Sequence, residues 1–171
     1  MNKNLILTGM MGVGKSTVGK KLARKLKYNF IDIDEIIEAK EGCPINSIFK
    51  NKSEYYFRKI ESEITLKELK KNNCVISLGG GSFLNKSIRV SAKKTSVSFW
   101  LDVNVEILAK RLKNSQKRPL LYKKNISDTI KKMYLDRKKI YSEANYRIKC
   151  SSLKSSEIVD KILALYENSK N

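Results

Sequence analysis

The segment from residue 9 to residue 17 constrains the fold of this chain more than any other part of it. It reads Gly-Met-Met-Gly-Val-Gly-Lys-Ser-Thr and fits the pattern G-x-x-x-x-G-K-[ST]. A short apolar run, Asn4–Thr8, comes directly before it, and apolar residues at helical spacing follow over residues 18–26. A strand, a glycine-rich loop and a helix in this order are the context in which the pattern binds phosphate.

The residue types of this loop predict a nucleotide site. The glycines let successive backbone N–H groups turn toward phosphate oxygens, and the helix that follows adds the positive end of its dipole. We expect Lys15 to reach the β and γ phosphates and the Ser16 hydroxyl to ligate one Mg²⁺ ion per subunit. The predicted ATP-binding residues of the loop are Gly12, Val13, Gly14, Lys15, Ser16 and Thr17.

The rest of the chain alternates apolar runs with helical patterns. Further strands are predicted at residues 30–34, 74–78, 96–101 and 146–150. Helices are predicted at residues 18–26, 35–40, 44–50, 53–71, 85–94, 105–112, 126–142 and 157–166. Parallel neighbours need long, right-handed connections, so this order predicts a three-layer α/β fold, with a central five-stranded parallel sheet and helices on both faces. Ligands bind at the carboxyl ends of the strands in such folds.

Length and composition fit one globular domain over residues 1–171. Hydrophobic residues make up 41% of the 171 residues, and no apolar run approaches the roughly 20 residues of a membrane span. We therefore expect a cytoplasmic protein without a membrane partner. Cys43, Cys74 and Cys150 are odd in number and widely spaced, and the chain has no histidine, so reduced, inert thiols are expected.

The formal charge of +19 is the extreme value in the composition. Because lysines are scattered along the whole chain, a lysine-rich solvated surface explains this charge without a nucleic-acid partner. The opposite interpretation, a nucleic-acid-binding P-loop ATPase, stays an alternative, although the sequence lacks RNA-binding aromatic motifs.

Several polar residues are candidates for the site that accepts the phosphoryl group. Asp32 and Asp34 lie two apart on an expected strand, so both side chains are predicted to point into the cleft above the sheet, unless the segment leads into a helix cap. Arg58 and Glu61 lie one helical turn apart and share a face, which is also typical of a surface ion pair. The three glycines at residues 79–81 are most useful where main chain approaches a ligand.

Taken together, these motifs resemble the shikimate kinase family over nearly the whole chain. The motifs that carry the resemblance are the loop at 9–17, Asp32-x-Asp34, Phe57-Arg58-x-x-Glu61, Gly79-Gly80-Gly81, Arg118-Pro119-Leu120-Leu121 and Arg137. The resemblance implies a P-loop kinase fold with a substrate-binding region at 32–61 and a mobile lid at 113–125. It also implies the transfer of phosphate from ATP to the 3-hydroxyl of shikimate, in aromatic amino-acid synthesis, by a protein that is commonly a monomer.

The resemblance also implies roles for individual residues. Lys15, Asp34 and Arg118 would be catalytic, with Asp34 on the shikimate hydroxyls and Arg118 reaching the ATP phosphates from the lid. The implied substrate-binding residues are Asp34, Arg58, Glu61, Gly79, Gly80, Gly81 and Arg137. Asp32 would hold a water on the Mg²⁺ ion that Ser16 binds, and Arg111 would lie on the nucleotide side. Arg58 and Arg137 would hold the carboxylate, which a planar guanidinium pairs with through two hydrogen bonds.

One segment departs from the family pattern, and one further alternative stays open. Residues 151–155 read Ser-Ser-Leu-Lys-Ser, where the family usually places Arg or Pro against adenine. A kinase of the same architecture that acts on another small polyol acid, such as gluconate, or on a nucleotide would also use Arg58 and Arg137 to bind an anion. The expected partners are otherwise ATP and shikimate, with no nucleic acid.

Overall fold

Five strands form one parallel sheet in the computed structural model, which describes residues 3–113 and 125–169. The strands are β1 (Asn4–Thr8), β2 (Asn29–Asp32), β3 (Cys74–Ser77), β4 (Ser96–Asp102) and β5 (Tyr146–Lys149). Their order across the sheet is β2-β3-β1-β4-β5, so Leu5 of β1 is paired with Val75 on one side and Val97 on the other. The predicted five-stranded parallel sheet is confirmed, and all five strands end at one edge.

Helices connect the strands. They are α1 (Lys15–Leu26), α2 (Ile33–Glu41), α3 (Ile45–Asn51), α4 (Glu54–Glu68), α5 (Lys86–Thr95), α6 (Val105–Leu112), α7 (Ile126–Tyr141) and α8 (Ser155–Asn168), and a 3₁₀ turn covers Ser82–Leu84. Within the ranges 3–113 and 125–169, no helix is both long and apolar enough to cross a membrane.

The three central strands lie in the core. Every residue of β1, β3 and β4 is buried, because helices cover both faces of the sheet. Trp100 of β4 packs against Tyr134 and Tyr141 of α7, with ring centroids 6.5 and 5.9 Å away. Burial on both faces is why these strands read as continuous apolar runs in the sequence.

Local signals set several helix ends. The Ser53 hydroxyl accepts a hydrogen bond from the Tyr56 N–H, and the Asn85 side chain accepts from two N–H groups at the start of α5. Gly42 ends α2 with a φ of 66°, in the left-handed region. The predicted starts of α4 and α5 are confirmed, but α4 ends at Glu68 rather than at residue 71.

The segment after β2 differs from the prediction. The strand expected at 30–34 ends at Asp32, and α2 begins at Ile33, so Asp34 lies in the first helical turn. Asp32 Oδ1 accepts a hydrogen bond from the Asp34 N–H at 3.1 Å and caps the helix. The prediction that Asp32 and Asp34 alternate along one strand was therefore wrong, because a cap started the helix two residues earlier.

Candidate active site

The glycine-rich loop follows β1 at the carboxyl edge of the sheet. Gly9 has a φ of 135°, and a Cβ there would lie 2.5 Å from the Leu101 carbonyl oxygen. Gly14 has a φ of 95° directly before α1. Gly9 is favoured by its backbone conformation and by close packing, and Gly14 by its backbone conformation alone. The predicted loop therefore lies between its predicted strand and helix.

Lys15 crosses this loop. Its Nζ donates hydrogen bonds to the Gly9 and Met10 carbonyl oxygens, both at 3.0 Å, and the residue is only 9% exposed. Lys15 also borders a cavity of about 200 Å³, together with Gly12, Gly14 and Thr17. A buried ammonium group beside a cavity at a helix N-terminus is suited to bind phosphate oxygens.

Ser16 and Asp32 form the oxygen-rich part of the same cavity. The Ser16 hydroxyl donates to Asp32 Oδ2 at 2.5 Å, and Asp32 is 8% exposed. The described residues hold no cluster of three or more acidic, histidine or cysteine side chains that would cage a metal ion. Mg²⁺ typically keeps several waters and binds through one or two protein oxygens plus substrate phosphates, so this hydroxyl and carboxylate fit it.

A second cavity, of about 250 Å³, adjoins the first. Both cavities are bordered by Ser16, Asp32, Asp34 and Gly80, so they share a wall. The second one is also lined by Phe49, Phe57, Arg58, Glu61, Gly81 and Arg137. A phosphate donor in one cavity and a small anionic acceptor in the other would therefore lie next to each other.

Arg58, which is half-buried, and Glu61, which is buried, form an ion pair in this second cavity. Arg58 Nη1 donates to Glu61 Oε2 at 2.7 Å, and the Ser82 hydroxyl donates to Glu61 Oε1 at 2.7 Å. Burial opposes the charge on Arg58, but the carboxylates of Glu61 and Glu54 outweigh it and raise the pKa of the guanidinium. Because Glu61 is buried, the pair differs from the fully exposed ion pair that its sequence spacing also allowed.

The glycines at 79 and 81 make room for these side chains. A Cβ on Gly79 would lie 2.4 Å from Glu61 Oε1 and 2.8 Å from Asp34 Oδ1, and a Cβ on Gly81 would lie 2.6 Å from Arg58 Nη1. Sequence reasoning gave these glycines a role in approaching a ligand. In the structure Gly79 and Gly81 let charged side chains approach the main chain.

Arg137 of α7 joins the same wall of the cavity. Its Nη1 donates to the Gly80 carbonyl oxygen at 3.2 Å, and the hydroxyl of Tyr141 donates to the same oxygen. Sequence reasoning missed Tyr141, and also Ser82, which donates to Glu61. The one feature of the sequence that could have indicated a role for Tyr141 is its position one helical turn after Arg137.

The residues predicted on the nucleotide side are only partly described. Arg111 of α6 lies against the loop, with Nη1 3.4 Å from the Gly12 carbonyl oxygen. In the segment at 151–155, the Ser151 hydroxyl accepts from the Asn104 N–H at 2.9 Å, and Ser155 accepts from Lys21 at 2.7 Å. Arg118 and all but the two ends of the expected lid at 113–125 lie outside the described residues.

Comparisons with known proteins identify a family for this chain. The family model described as shikimate kinase matches residues 11–167. Shikimate kinase from Sulfurihydrogenibium sp. is 44% identical over 161 residues, which cover 94% of this chain and 96% of that one. The solved structure of shikimate kinase from Acinetobacter baumannii in complex with shikimate is 31% identical, with a TM-score of 0.94, and the match covers 98% of this chain and 94% of that one.

A solved gluconokinase from Sinorhizobium meliloti bears on the alternative acceptor. It is 21% identical with a TM-score of 0.61, and the match covers 99% of this chain and 96% of that one. A likeness at this identity shows the shared fold alone. The family model and the curated relative carry the assignment instead, and the resemblance found in the sequence is confirmed: the chain belongs to the shikimate kinase family.

Proposed function

We propose that this chain transfers the terminal phosphoryl group of MgATP to the 3-hydroxyl of shikimate, giving ADP and 3-phosphoshikimate. The observation that carries the proposal is the pair of adjoining cavities. One is bordered by Lys15 and the glycine-rich loop, and the other by Arg58 and Arg137. Phosphoryl transfer depends mainly on placing donor and acceptor in line and on stabilising charge, which such a cleft can do.

The second cavity, called the acceptor cavity from here on, has positively charged groups that suit the carboxylate of shikimate. Arg58 and Arg137 would bind its carboxylate, since guanidinium groups pair with carboxylates through parallel hydrogen bonds. Asp34 lies between the two cavities and would accept a hydrogen bond from a shikimate hydroxyl, which orients that oxygen toward the phosphate. Orienting this hydroxyl is the main role proposed for Asp34, because a loose transition state needs little early proton removal.

Lys15 and Ser16 would act on the donor side. Lys15 would hold the β and γ phosphate oxygens and stabilise the charge that develops on them. Ser16 would bind Mg²⁺ directly, and Asp32 would hold a water on it. Held by these two residues, the ion would supply positive charge that neutralises the phosphate oxygens. Thr17, with the backbone of Gly12, Val13 and Gly14, would complete the cradle.

The other parts of the proposal come from the family resemblance. We propose that residues 1–171 act as one domain and one monomer in the cytoplasm, and that residues 32–61 form the substrate-binding region. Arg118, in a lid at 113–125, would reach the phosphates, and Arg111 would lie beside the nucleotide. All three cysteines are expected to be reduced, inert thiols; in the structure Cys74 and Cys150 are buried, and Cys43 is half-buried.

Coupled ADP release from the purified protein with MgATP tests the proposal. Shikimate, gluconate, nucleoside monophosphates, single-stranded nucleic acid and no acceptor should be compared. We expect release that saturates with shikimate alone. Equal release without an acceptor, or release stimulated only by gluconate, a nucleotide or nucleic acid, would contradict the shikimate assignment.

A matched pair of variants connects this activity to the cavity. Arg58→Met should raise the KM for shikimate by at least about tenfold, since a charge-assisted contact typically contributes about 1.5–3 kcal/mol. Arg24→Met changes an exposed arginine on α1 in the same way and should leave the KM unchanged. Equal effects from both variants would argue against carboxylate binding by Arg58.

A further inference from the structure

We infer that Tyr141 is a positioning residue for shikimate: its hydroxyl fixes the Gly80 peptide, and through it the guanidinium group of Arg137. The inference deepens the proposed function and rests on it, because Arg137 matters here as a shikimate-binding group. Tyr141 itself would not contact the substrate.

The hydroxyl of Tyr141 is held in one place. Tyr141 is the last residue of α7 and is fully buried, with 0% of its surface exposed. Its ring packs against Trp100 at 5.9 Å between centroids, and its oxygen lies 3.9 Å from the sulfur of Met10. Burial raises the pKa of Tyr141, so the phenol remains a hydrogen-bond donor at neutral pH. A donor fixed by packing can fix its acceptor in turn.

That acceptor is the carbonyl oxygen of Gly80, a residue that borders both cavities. Tyr141 and Arg137 both donate to it, and they lie four residues apart on one face of α7. A carbonyl oxygen has two lone pairs, so both donors can be accommodated. Arg137 is only half-buried and has a flexible side chain, whereas Tyr141 is packed in the core. Tyr141 therefore defines where the oxygen lies, and Arg137 follows it.

Fixing this carbonyl also fixes the next residue. The peptide group is planar, so the orientation of the Gly80 oxygen determines that of the Gly81 N–H. Gly81 lies against Arg58, with its Cβ position 2.6 Å from Nη1. Both arginines of the acceptor cavity thus contact the stretch of main chain that Tyr141 holds. The two guanidinium groups are thereby placed relative to each other before a carboxylate arrives.

Tyr141→Phe is the test, since it removes one oxygen and keeps the ring. We expect the KM for shikimate to rise about tenfold, because the Gly80 oxygen loses the one donor that packing holds in place, while the KM for ATP stays within about twofold. We expect kcat to fall by less than about threefold. Calorimetric titration of shikimate in the absence of ATP should show the same weakening as the KM.

Tyr166→Phe is the matched control. Tyr166 is also buried and its hydroxyl also donates to a backbone oxygen, that of Lys3, at 2.5 Å. Lys3 precedes β1, so this contact lies at the opposite edge of the sheet from the cavities. We expect Tyr166→Phe to lower the melting temperature about as much as Tyr141→Phe does and to leave the KM for shikimate unchanged.

A double variant separates positioning from general loosening. If Tyr141 acts through Gly80 and Arg137, then adding Tyr141→Phe to Arg137→Met should raise the KM far less than it does in the wild-type background. Additive effects would overturn the inference, as would an unchanged KM in Tyr141→Phe or an equal rise in Tyr166→Phe. A wild-type protein without shikimate-dependent turnover would overturn the proposed function as well, so the two failures are distinguishable.

Discussion

Glu61 holds Arg58 by a hydrogen bond of 2.7 Å while being itself only 2% exposed. A buried carboxylate is stable only when it is paired and hydrogen-bonded, and Glu61 satisfies this through Arg58 and Ser82. The partner that stabilises Glu61 is also the group proposed to bind the shikimate carboxylate. One buried charge therefore keeps a binding arginine aligned in the absence of substrate.

Replacing Glu61 should affect substrate binding through this contact. Glu61→Gln keeps the shape and removes the charge, and we expect the KM for shikimate to rise about tenfold as Arg58 loses a charge-assisted hydrogen bond. Glu54→Gln is the control, because Glu54 contacts the same guanidinium at 3.4 Å from an exposed position. Exposed ion pairs contribute about 0–1 kcal/mol, so the KM of Glu54→Gln for shikimate should change by less than about fivefold. A larger change in Glu54→Gln than in Glu61→Gln would contradict this reasoning.

Gly81→Ala should act on binding rather than on folding. The φ of Gly81 is −112°, which alanine adopts readily, but the new methyl group would displace the Arg58 guanidinium. We expect the KM for shikimate to rise and the melting temperature to change little. Gly19→Ala is the comparison. Gly19 lies in α1, away from both cavities, and a Cβ there would lie 2.4 Å from the ring of Phe30 in β2. Gly19→Ala should lower the melting temperature and leave the KM for shikimate unchanged. A stability loss in Gly81→Ala together with a KM increase in Gly19→Ala would contradict the packing described here.

Asp32→Asn tests the metal side of the site. Asparagine also caps helices, so the start of α2 should survive. The charge beside Ser16 is lost, however, and residues that support a bound metal typically change metal affinity or activity by about 10–100-fold when they are mutated. We expect the Mg²⁺ concentration for half-maximal activity to rise by about that factor at saturating ATP. An unchanged Mg²⁺ titration would remove Asp32 from the metal site.

Lys15→Ala should remove turnover and leave the fold in place. We expect kcat to fall by at least about 10²-fold, the effect of deleting one preorganised charge-stabilising group. Lys25→Ala shortens another lysine of α1, paired with Asp160 on the surface at 2.6 Å, and should keep full activity. Circular dichroism and thermal melting of both variants check the fold. Normal turnover by Lys15→Ala would exclude a catalytic role for this lysine.

The thiols should differ in reactivity with pH. Burial raises the pKa of Cys150 to about 11 and also raises that of Cys74. Only the thiolate reacts, so alkylation of Cys150 should be slow at pH 8 and should increase as the pH rises toward 11. Cys43 is half-buried and should be alkylated first. Peptide mass spectrometry after timed iodoacetamide treatment measures this order, and rapid labelling of Cys150 at pH 8 would contradict it.

Local patterns were sufficient to predict most of the fold. The pattern of the glycine-rich loop predicts a strand before it and a helix after it. The central strands read as apolar runs because both of their faces are covered. The error at Asp34 arose at a boundary, where one capping carboxylate decides between strand and helix. Such a choice depends on a single hydrogen bond and leaves no periodic signal.

Contacts between distant segments could not be predicted in the same way. Glu61 and Ser82 are 21 residues apart, and Tyr141 and Gly80 are 61 apart. Their pairing depends on how α4 and α7 lie over the sheet, which no short pattern specifies. For the same reason the sequence allowed a surface ion pair at Arg58 and gave no role to Tyr141. The proposed role of Arg118 stays a prediction, since this residue lies outside the described ranges.

Trp100 is the only tryptophan of the chain, and its place in β4 gives the protein an internal fluorophore. The indole lies beside the glycine-rich loop, since its Cδ1 would be 3.4 Å from a Cβ added at Gly9. It also packs against Tyr141 of α7. One emitting group is therefore in contact with elements of both the donor and the acceptor cavity. We therefore expect the emission of Trp100, recorded during rapid mixing, to change when either substrate binds to the unlabelled protein.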